Sequence, residues 1–289
     1  MIRLDGKKLA QKKYKDLTAK VLAFKSKYQR VPQLAVIIVG DDPASHVYVN
    51  NKRLACEQVG LKSEIISLPS TVTEADLKAK IEALNNDPLV DGFLVQMPLP
   101  PNLKGFEPAD YIKPEKDVDG LSALNMGLMA LGKAHHEPCT PEGVMELLKE
   151  YDIPLKGKKA VVVGRSTTVG WPMAFMLTRA QCTVTVCHSQ TPNTSELTRQ
   201  ADIVVVAAGR PHLLSAKDFK KGAVIVDVGI HKNPKGKGLI GDVDFLSFEN
   251  DQIYAMTPVP GGVGPMTVAQ LITHTFLAAE KAELLKLKD

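Results

Sequence analysis

Lys158-Lys-Ala-Val-Val-Val-Gly-Arg-Ser-Thr-Thr-Val-Gly170 decides the fold of this chain. Its β-branched run predicts a buried strand, Lys158 to Gly164, because such side chains suit a pleated backbone. A glycine-bounded turn follows, then a helical stretch from Gly170 to Ala180. Cys182-Thr-Val-Thr-Val-Cys187 is the next strand. Strand, turn, helix and strand in this order form a βαβ unit with parallel pairing. The turn between strand and helix is where dinucleotide phosphates are held in such units. Its spacing, GxxxxxG, meets only half of the general G-x-G-x-x-G fingerprint, so context carries the reading.

The same alternation extends in both directions. Downstream, Ala201 to Ala208 and Ala223 to Val228 read as further strands. Upstream, a first helix is expected from Gly6 to Lys27, followed by a buried strand from Gln33 to Gly40. The loop Asp41-Asp-Pro-Ala-Ser45 leads, with Ser45 as expected N-cap, into a helix that ends at Gly60. A strand from Glu64 to Pro69, a helix from Glu74 to Asn85 and a strand from Gly92 to Pro100 follow. Residues 101–121 are irregular, with prolines at 101, 108 and 114, and a helix is expected from Glu142 to Tyr151. Near the end, Thr257-Pro-Val-Pro-Gly-Gly-Val-Gly-Pro-Met-Thr267 reads as a rigid loop before a final helix, Thr267 to Lys288. Such a loop is either a tight β-to-α connection or the wall of a ligand cleft.

The fold class is therefore α/β, with two α/β domains and an active-site cleft between them. Residues 1–140, joined by the C-terminal helix 267–289, form the first; residues 141–266 form the second, a Rossmann-like parallel sheet. A chain of 289 residues, 44% hydrophobic and 24% charged, has the size and composition of a two-domain globular protein. No apolar run approaches the roughly 20 residues that span a bilayer, and the first residues carry neither a signal nor a transit pattern. Four scattered cysteines without CxxC spacing argue for a reducing compartment and against zinc. A net charge of +4 without a basic stripe does not point to nucleic acid.

Cofactor choice follows from what ends the second strand of the βαβ unit. NAD-selective units place a carboxylate there for the ribose 2′-hydroxyl. Here the segment is Cys187-His-Ser-Gln-Thr191, without an acid. Arg165 lies in the phosphate loop, where it is either a solvated residue or a bidentate partner of a 2′-phosphate. NADP is thus preferred, with Gly164, Arg165, Ser166, Gly170, His188 and Ser189 as candidate contacts. The pair His135-His136 sits in a Pro/Lys/Glu loop and is expected to be solvated.

Three segments carry candidate chemistry. Tyr48 and Lys52 are four residues apart on one predicted helix and share a flank; a packed tyrosine beside an extended lysine is the plain reading, a phenol and amine on one substrate the functional one. Gln96 is polar at the end of an apolar strand and, if buried, needs a partner: the backbone on the plain reading, Lys52 or a substrate on the functional one. Lys116-Asp-Val-Asp-Gly120 is an acidic turn lacking the oxygen ligands of a calcium loop. One carboxylate there could pair with the N–H/NH₂ edge of a heterocycle.

Together these segments resemble one family, the bifunctional methylenetetrahydrofolate dehydrogenases/cyclohydrolases. The matching stretches are Ser45-His-Val-Tyr-Val-Asn-Asn-Lys52, Val95-Gln-Met-Pro-Leu-Pro100, Lys116-Asp-Val-Asp-Gly120, Pro138-Cys-Thr-Pro141, Val163-Gly-Arg-Ser166 with Val169-Gly170 and Pro172, Asp227-Val-Gly229, Gly241-Asp-Val243 and Thr257 to Thr267. The resemblance implies NADP-dependent oxidation of 5,10-methylenetetrahydrofolate and hydrolysis of the methenyl product to 10-formyltetrahydrofolate. It implies Lys52 as catalytic amine, Tyr48 as orienting group, Gln96 as partner of Lys52 and Asp119 as pterin anchor. Pro258, Gly261 and Gly262 then face the folate, and Ile230 joins the cofactor contacts. A cytoplasmic homodimer paired through the nucleotide domain is also implied. His274 and Thr168 depart from the residues usual in the family, and neither is expected to touch an assigned residue. Two other readings stay open: another two-domain NADP oxidoreductase of shikimate-dehydrogenase type, and a non-catalytic nucleotide-binding protein.

Overall fold

The computed structural model describes residues 1–234, 236–249 and 252–287. In chain order the elements are β1 (Ile2–Arg3), α1 (Gly6–Tyr28), β2 (Gln33–Val39), α2 (Pro43–Val59), β3 (Lys62–Leu68), α3 (Glu74–Asn86), β4 (Gly92–Val95), α4 (Ala123–Ala130) and α5 (Cys139–Glu150). They continue as β5 (Lys159–Val163), α6 (Gly170–Arg179), β6 (Thr183–Cys187), α7 (Thr194–Thr198), β7 (Ile203–Val206), β8 (Val224–Asp227), β9 (His231–Lys232), β10 (Leu239–Ile240), β11 (Ala255–Met256) and α8 (Val263–Lys286). Two compact units result: Gln11–Cys139 with Val268–Asp289, and Met1–Ala10 with Thr140–Thr267.

In the first of these, β2 lies between β3 and β4 in a parallel sheet. All of β2 is buried, which accounts for its unbroken apolar sequence. Ala35, Ile37 and Val39 pack with Leu77, Ile81 and Leu84, which recur at helical spacing along α3. The strand expected to reach Pro100 stops at Val95, since Pro98 and Pro100 have no N–H to donate to a ladder. Two short 3₁₀ turns, Pro101–Leu103 and Pro108–Tyr111, shape the segment expected to be irregular. The helix α4 was not anticipated; Ser122 caps it by accepting from the Asn125 N–H, and eight residues give too short a period to read. Arg30 closes this unit with a bidentate pair to Asp91 at 2.8 Å and a bond to Glu283 at 2.7 Å.

The expected cap of α2 needs correcting. Asp42, not Ser45, is the N-cap: its carboxylate accepts from both the Ser45 N–H and the Ser45 hydroxyl at 2.8 Å. Proline at the first helical position then starts the helix three residues earlier than a cap at Ser45 would.

The other unit is built on a six-stranded parallel sheet in the order β1-β11-β8-β7-β5-β6. Val161, Val163, Val204, Val206, Ile225 and Met256 fill one side of it. β1 pairs with β11, Ile2 opposite Ala255. Met1–Ala10 therefore group with this unit, whereas the sequence reading placed them in the other. A strand of two residues has no period to announce it. β9 and β10 form a small antiparallel pair. The final helix starts at Val263, earlier than the expected Thr267, because Pro265 falls in the first turn, where no N–H is required. Its expected end at Lys288 lies outside the described residues.

Candidate active site

Lys52 sits in the buried stripe of α2, formed by Ser45, Val49, Lys52, Ala55, Cys56 and Val59. A lysine in an apolar stripe is costly unless its ammonium finds partners. Its Nζ donates to Gln96 Oε1 at 3.0 Å, while the Gln96 amide donates to the Met97 carbonyl at 2.8 Å. The second bond fixes which end of the amide faces Lys52. Burial pushes the Lys52 pKa down, and Asp119 and Cys139 pull it back up. Burial likewise pushes the Asp119 carboxyl up, with Lys52 opposing. Both dominant shifts favour the neutral forms, the direction that a proton-accepting amine requires. Tyr48, one turn before Lys52, is 43% exposed, so its phenol is available to a ligand.

The two aspartates of Lys116-Asp-Val-Asp-Gly120 have separate tasks. Buried Asp117 accepts from the N–H groups of Gly120, Leu121 and Ser122 and from the Asn125 side chain. Its four donors make it a turn-builder. Asp119 is left to couple with Lys52.

The nucleotide candidates lie in the other unit, at the C-terminal ends of its parallel strands, where such sheets bind ligands. Gly164 has φ +127°, and a Cβ there would lie 2.1 Å from the Ala207 carbonyl oxygen. A Cβ on Gly170 would stand 2.3 Å from the Gly164 carbonyl oxygen. Both glycines are needed for the turn to close this tightly, and the cradle they leave suits a pyrophosphate. Ser166 Oγ accepts from the N–H groups of Val169 and Gly170 at 3.2 and 3.4 Å, ordering the turn from inside. Arg165 is exposed. His188 Nδ1 accepts from the Gln190 N–H at 3.2 Å, and Ser189 beside it is exposed. The absence of an acid at this strand end fits a 2′-phosphate better than a bare ribose. Ile230 is 38% exposed, and its Cδ1 lies 3.4 Å from where a Cβ on Gly264 would be. Pro258 and Gly262 close a turn, the Gly262 N–H donating to the Pro258 carbonyl at 2.8 Å. The Gly261 carbonyl accepts from the Lys7 N–H at 2.9 Å.

Lys52, Gln96 and Asp119 thus come together in one unit; the phosphate turn and the Pro258–Gly262 turn belong to the other. Sequence reading missed a second organising device in that other unit. Asp227 ends β8 and accepts from the N–H groups of Gly229, Asp242 and Val243 at 2.9 to 3.0 Å. Asp242 accepts in turn from Ala208, Gly209 and Arg210 at 2.6 to 2.9 Å and bonds His231 Nε2 at 2.7 Å. A Cβ on Gly229 or Gly241 would strike Asp242 Oδ1 at 2.4 Å or Asp227 Oδ2 at 1.9 Å, respectively. The Asp-Val-Gly and Gly-Asp-Val pattern was the available signal: an acid within two residues of a glycine, twice, is a carboxylate packed on bare backbone.

Three expectations are overturned. His136 is buried, not solvated, and its ring packs 4.9 Å from that of His274; burial lowers its pKa to about 3. His274 does touch assigned segments: its Nδ1 meets the Val118 carbonyl at 2.8 Å and Cys139 Sγ at 3.5 Å. Thr168 bonds Ser166 Oγ at 3.3 Å. The first two contacts bring together segments more than 100 residues apart, and the third depends on the conformation of the turn.

Comparison with known proteins matches both halves. Residues 4–119 match the family described as tetrahydrofolate dehydrogenase/cyclohydrolase, catalytic domain. Residues 138–283 match tetrahydrofolate dehydrogenase/cyclohydrolase, NAD(P)-binding domain. The bifunctional protein FolD of Bdellovibrio bacteriovorus is 53% identical over 278 residues, covering 96% of each chain. The solved FolD methylenetetrahydrofolate dehydrogenase/cyclohydrolase of Campylobacter jejuni has a TM-score of 0.94 at 46% identity, over 97% of this chain and 99% of that one. The methylenetetrahydrofolate dehydrogenase-cyclohydrolase of Trypanosoma brucei, solved with NADP cofactor and an inhibitor, has a TM-score of 0.92 at 36% identity over 98% of each.

Proposed function

The chain belongs to the tetrahydrofolate dehydrogenase/cyclohydrolase family, and on that premise we propose that Lys52, Gln96 and Asp119 carry its folate chemistry. The enzyme oxidises 5,10-methylenetetrahydrofolate to the 5,10-methenyl form with NADP, then hydrolyses that product to 10-formyltetrahydrofolate. Its relatives are bifunctional over their full length, which leaves the shikimate-dehydrogenase-like and non-catalytic readings without support.

The observation that carries the assignment is a buried lysine held by a glutamine and coupled to a carboxylate. Asp119 anchors the pterin through its N–H/NH₂ edge, which matches a carboxylate's two oxygens. Tyr48 orients the substrate with its exposed phenol. Lys52, as the free amine, takes one proton from water as the oxygen bonds to the methenyl carbon; it gives that proton to the nitrogen released as the C–N bond breaks, and the remaining hydroxyl proton leaves to solvent as the formyl C=O forms. The Gln96 carbonyl keeps Nζ in place for both transfers. Pro258, Gly261 and Gly262 supply a rigid folate-facing turn. NADP, when bound, supplies the hydride acceptor; Gly164, Arg165, Ser166, Gly170, His188, Ser189 and Ile230 would hold it, with Arg165 and Ser189 at the 2′-phosphate.

An absorbance assay with methylenetetrahydrofolate and NADP tests this. Wild-type protein should show a methenyl band that then decays. Lys52→Met should lose at least about 100-fold in the decay, the scale of a lost general base; undiminished decay would remove Lys52 from the mechanism.

A homodimer belongs to the same proposal. Trp171 and Phe175, four residues apart on α6, are 44% and 46% exposed, and a second copy would cover them. Light scattering on the Trp171→Glu variant tests it, a monomer being expected. The four cysteines are buried and lie outside any disulfide, which suits a reducing compartment and is in keeping with a cytoplasmic enzyme. No helix among the described residues is long and apolar enough to cross a membrane.

A further inference from the structure

We propose that His274 is the positioning residue that holds Asp119 for the folate, an inference that rests on the reading of Asp119 as pterin anchor. The chain around Asp119 is held on both sides. After it, Asp117 gathers the N–H groups of Gly120, Leu121 and Ser122. The Asp119 carbonyl itself accepts from the Cys139 N–H at 3.3 Å. Before it, the Val118 carbonyl accepts from His274 Nδ1 at 2.8 Å and from the Cys139 thiol at 3.2 Å.

His274 differs from the other clamps in origin: it reaches Val118 from α8, 156 residues away. A carbonyl cannot donate, so the proton sits on Nδ1. The imidazole is 3% exposed and tilts at 33° against His136, whose Nε2 lies 3.4 Å from the Glu115 carbonyl. The ring therefore has a fixed plane and a fixed donor. Rotation of the Val118–Asp119 peptide would swing the Asp119 carboxylate relative to the rest of the site, and bound geometry of this kind tolerates little displacement. What His274 supplies to the Val118 carbonyl is an N–H placed at Nδ1 rather than at Nε2.

That distinction is testable with two amides. The nitrogen of Asn can occupy the place of Nδ1 and donate to Val118, while that of Gln lies nearer the place of Nε2. Steady-state KM values for methylenetetrahydrofolate and NADP should be measured for wild type, His274→Asn, His274→Gln and Asp119→Asn. The Gln variant should raise the folate KM about tenfold, the worth of one buried hydrogen bond, and Asn should bring it back to within about threefold. The NADP KM should stay within about twofold in both. If Gln fails to fold, as shown by loss of the cooperative melting transition, His274→Ser replaces it, being too short to reach Val118, with the same rise expected. Equal folate KM values in the Asn and Gln variants, or in Asn and Ser, would overturn the positioning role. If Asp119→Asn raises the folate KM and His274→Gln does not, only this inference fails. If Asp119→Asn leaves it unchanged, the anchor reading fails and this one with it.

Discussion

Lys52 Nζ donates to Gln96 Oε1 at 3.0 Å, joining a helix and a strand end 44 residues apart. A neutral acceptor at this position holds the amine while stabilising its charged form less than a carboxylate would.

Gln96→Glu should therefore move the cyclohydrolase pH–rate profile upward by about one unit or more, because a neighbouring anion favours the ammonium form. The amine then needs a higher pH to become a base. A profile that coincides with wild type from pH 6 to about 9 would separate Gln96 from the proton transfer.

Asp119→Asn replaces a two-oxygen acceptor with one oxygen and one donor. The folate KM should rise at least about tenfold, the scale of a lost charge-assisted bond, with the NADP KM little changed. Equal rises for both ligands would count against a pterin contact.

Arg165→Ala should raise the KM for NADP about tenfold and leave that for NAD nearly unaltered, since only the phosphate-bearing cofactor uses the guanidinium. Competing the two cofactors in one assay reads the ratio directly. An unchanged ratio would return Arg165 to the status of a solvated loop residue.

Gly164→Ala puts a Cβ 2.1 Å from the Ala207 carbonyl oxygen at φ +127°. We expect a stability loss of at least about 3 kcal/mol, from the backbone strain and the collision together. Denaturant melts measure the loss, and NADP titration of whatever folds should show the turn unable to bind. A near-normal melt with normal binding is the contrary result.

Asp227 carries a pH signature. Burial raises its pKa from the ordinary 3.8 to about 6, against three opposing backbone N–H bonds. A folded pKa above the unfolded one means that the native state holds more protons between them. This group's contribution to stability is therefore intact below about 4, falls as pH rises, and is lost above about 6. The full span is worth roughly 3 kcal/mol. Asp227→Asn cannot titrate, so the stability difference between wild type and variant should change by that amount from pH 4 to 7. Parallel curves would be the outcome that sinks the argument.

Much of the candidate chemistry was legible from residue order. The turn Gly164–Gly170, the Tyr48/Lys52 spacing and Gln96 at a strand end all lie within windows of a few residues. Residue order alone left Asp117 and Asp119 equivalent, two aspartates with one valine between them, and it was the family resemblance that singled out Asp119. The physical distinction is the donors converging on Asp117. The burial of His136 was hidden too, because its neighbours in the chain are polar while its neighbour in space is His274.

By itself the sequence determined the α/β alternation, the buried strands β2 and β5, the helix that carries Lys52 and the glycine-bounded turn. Each depends on backbone hydrogen bonding and side-chain period, which act between residues close along the chain. Tertiary structure alone decided that Ile2 pairs with Ala255, that Asp242 gathers the turn after β7, and that His274 meets Val118. Those contacts span tens to hundreds of residues. Their partners are selected by packing and by the need to satisfy buried polar groups, neither of which leaves a periodic trace in the chain.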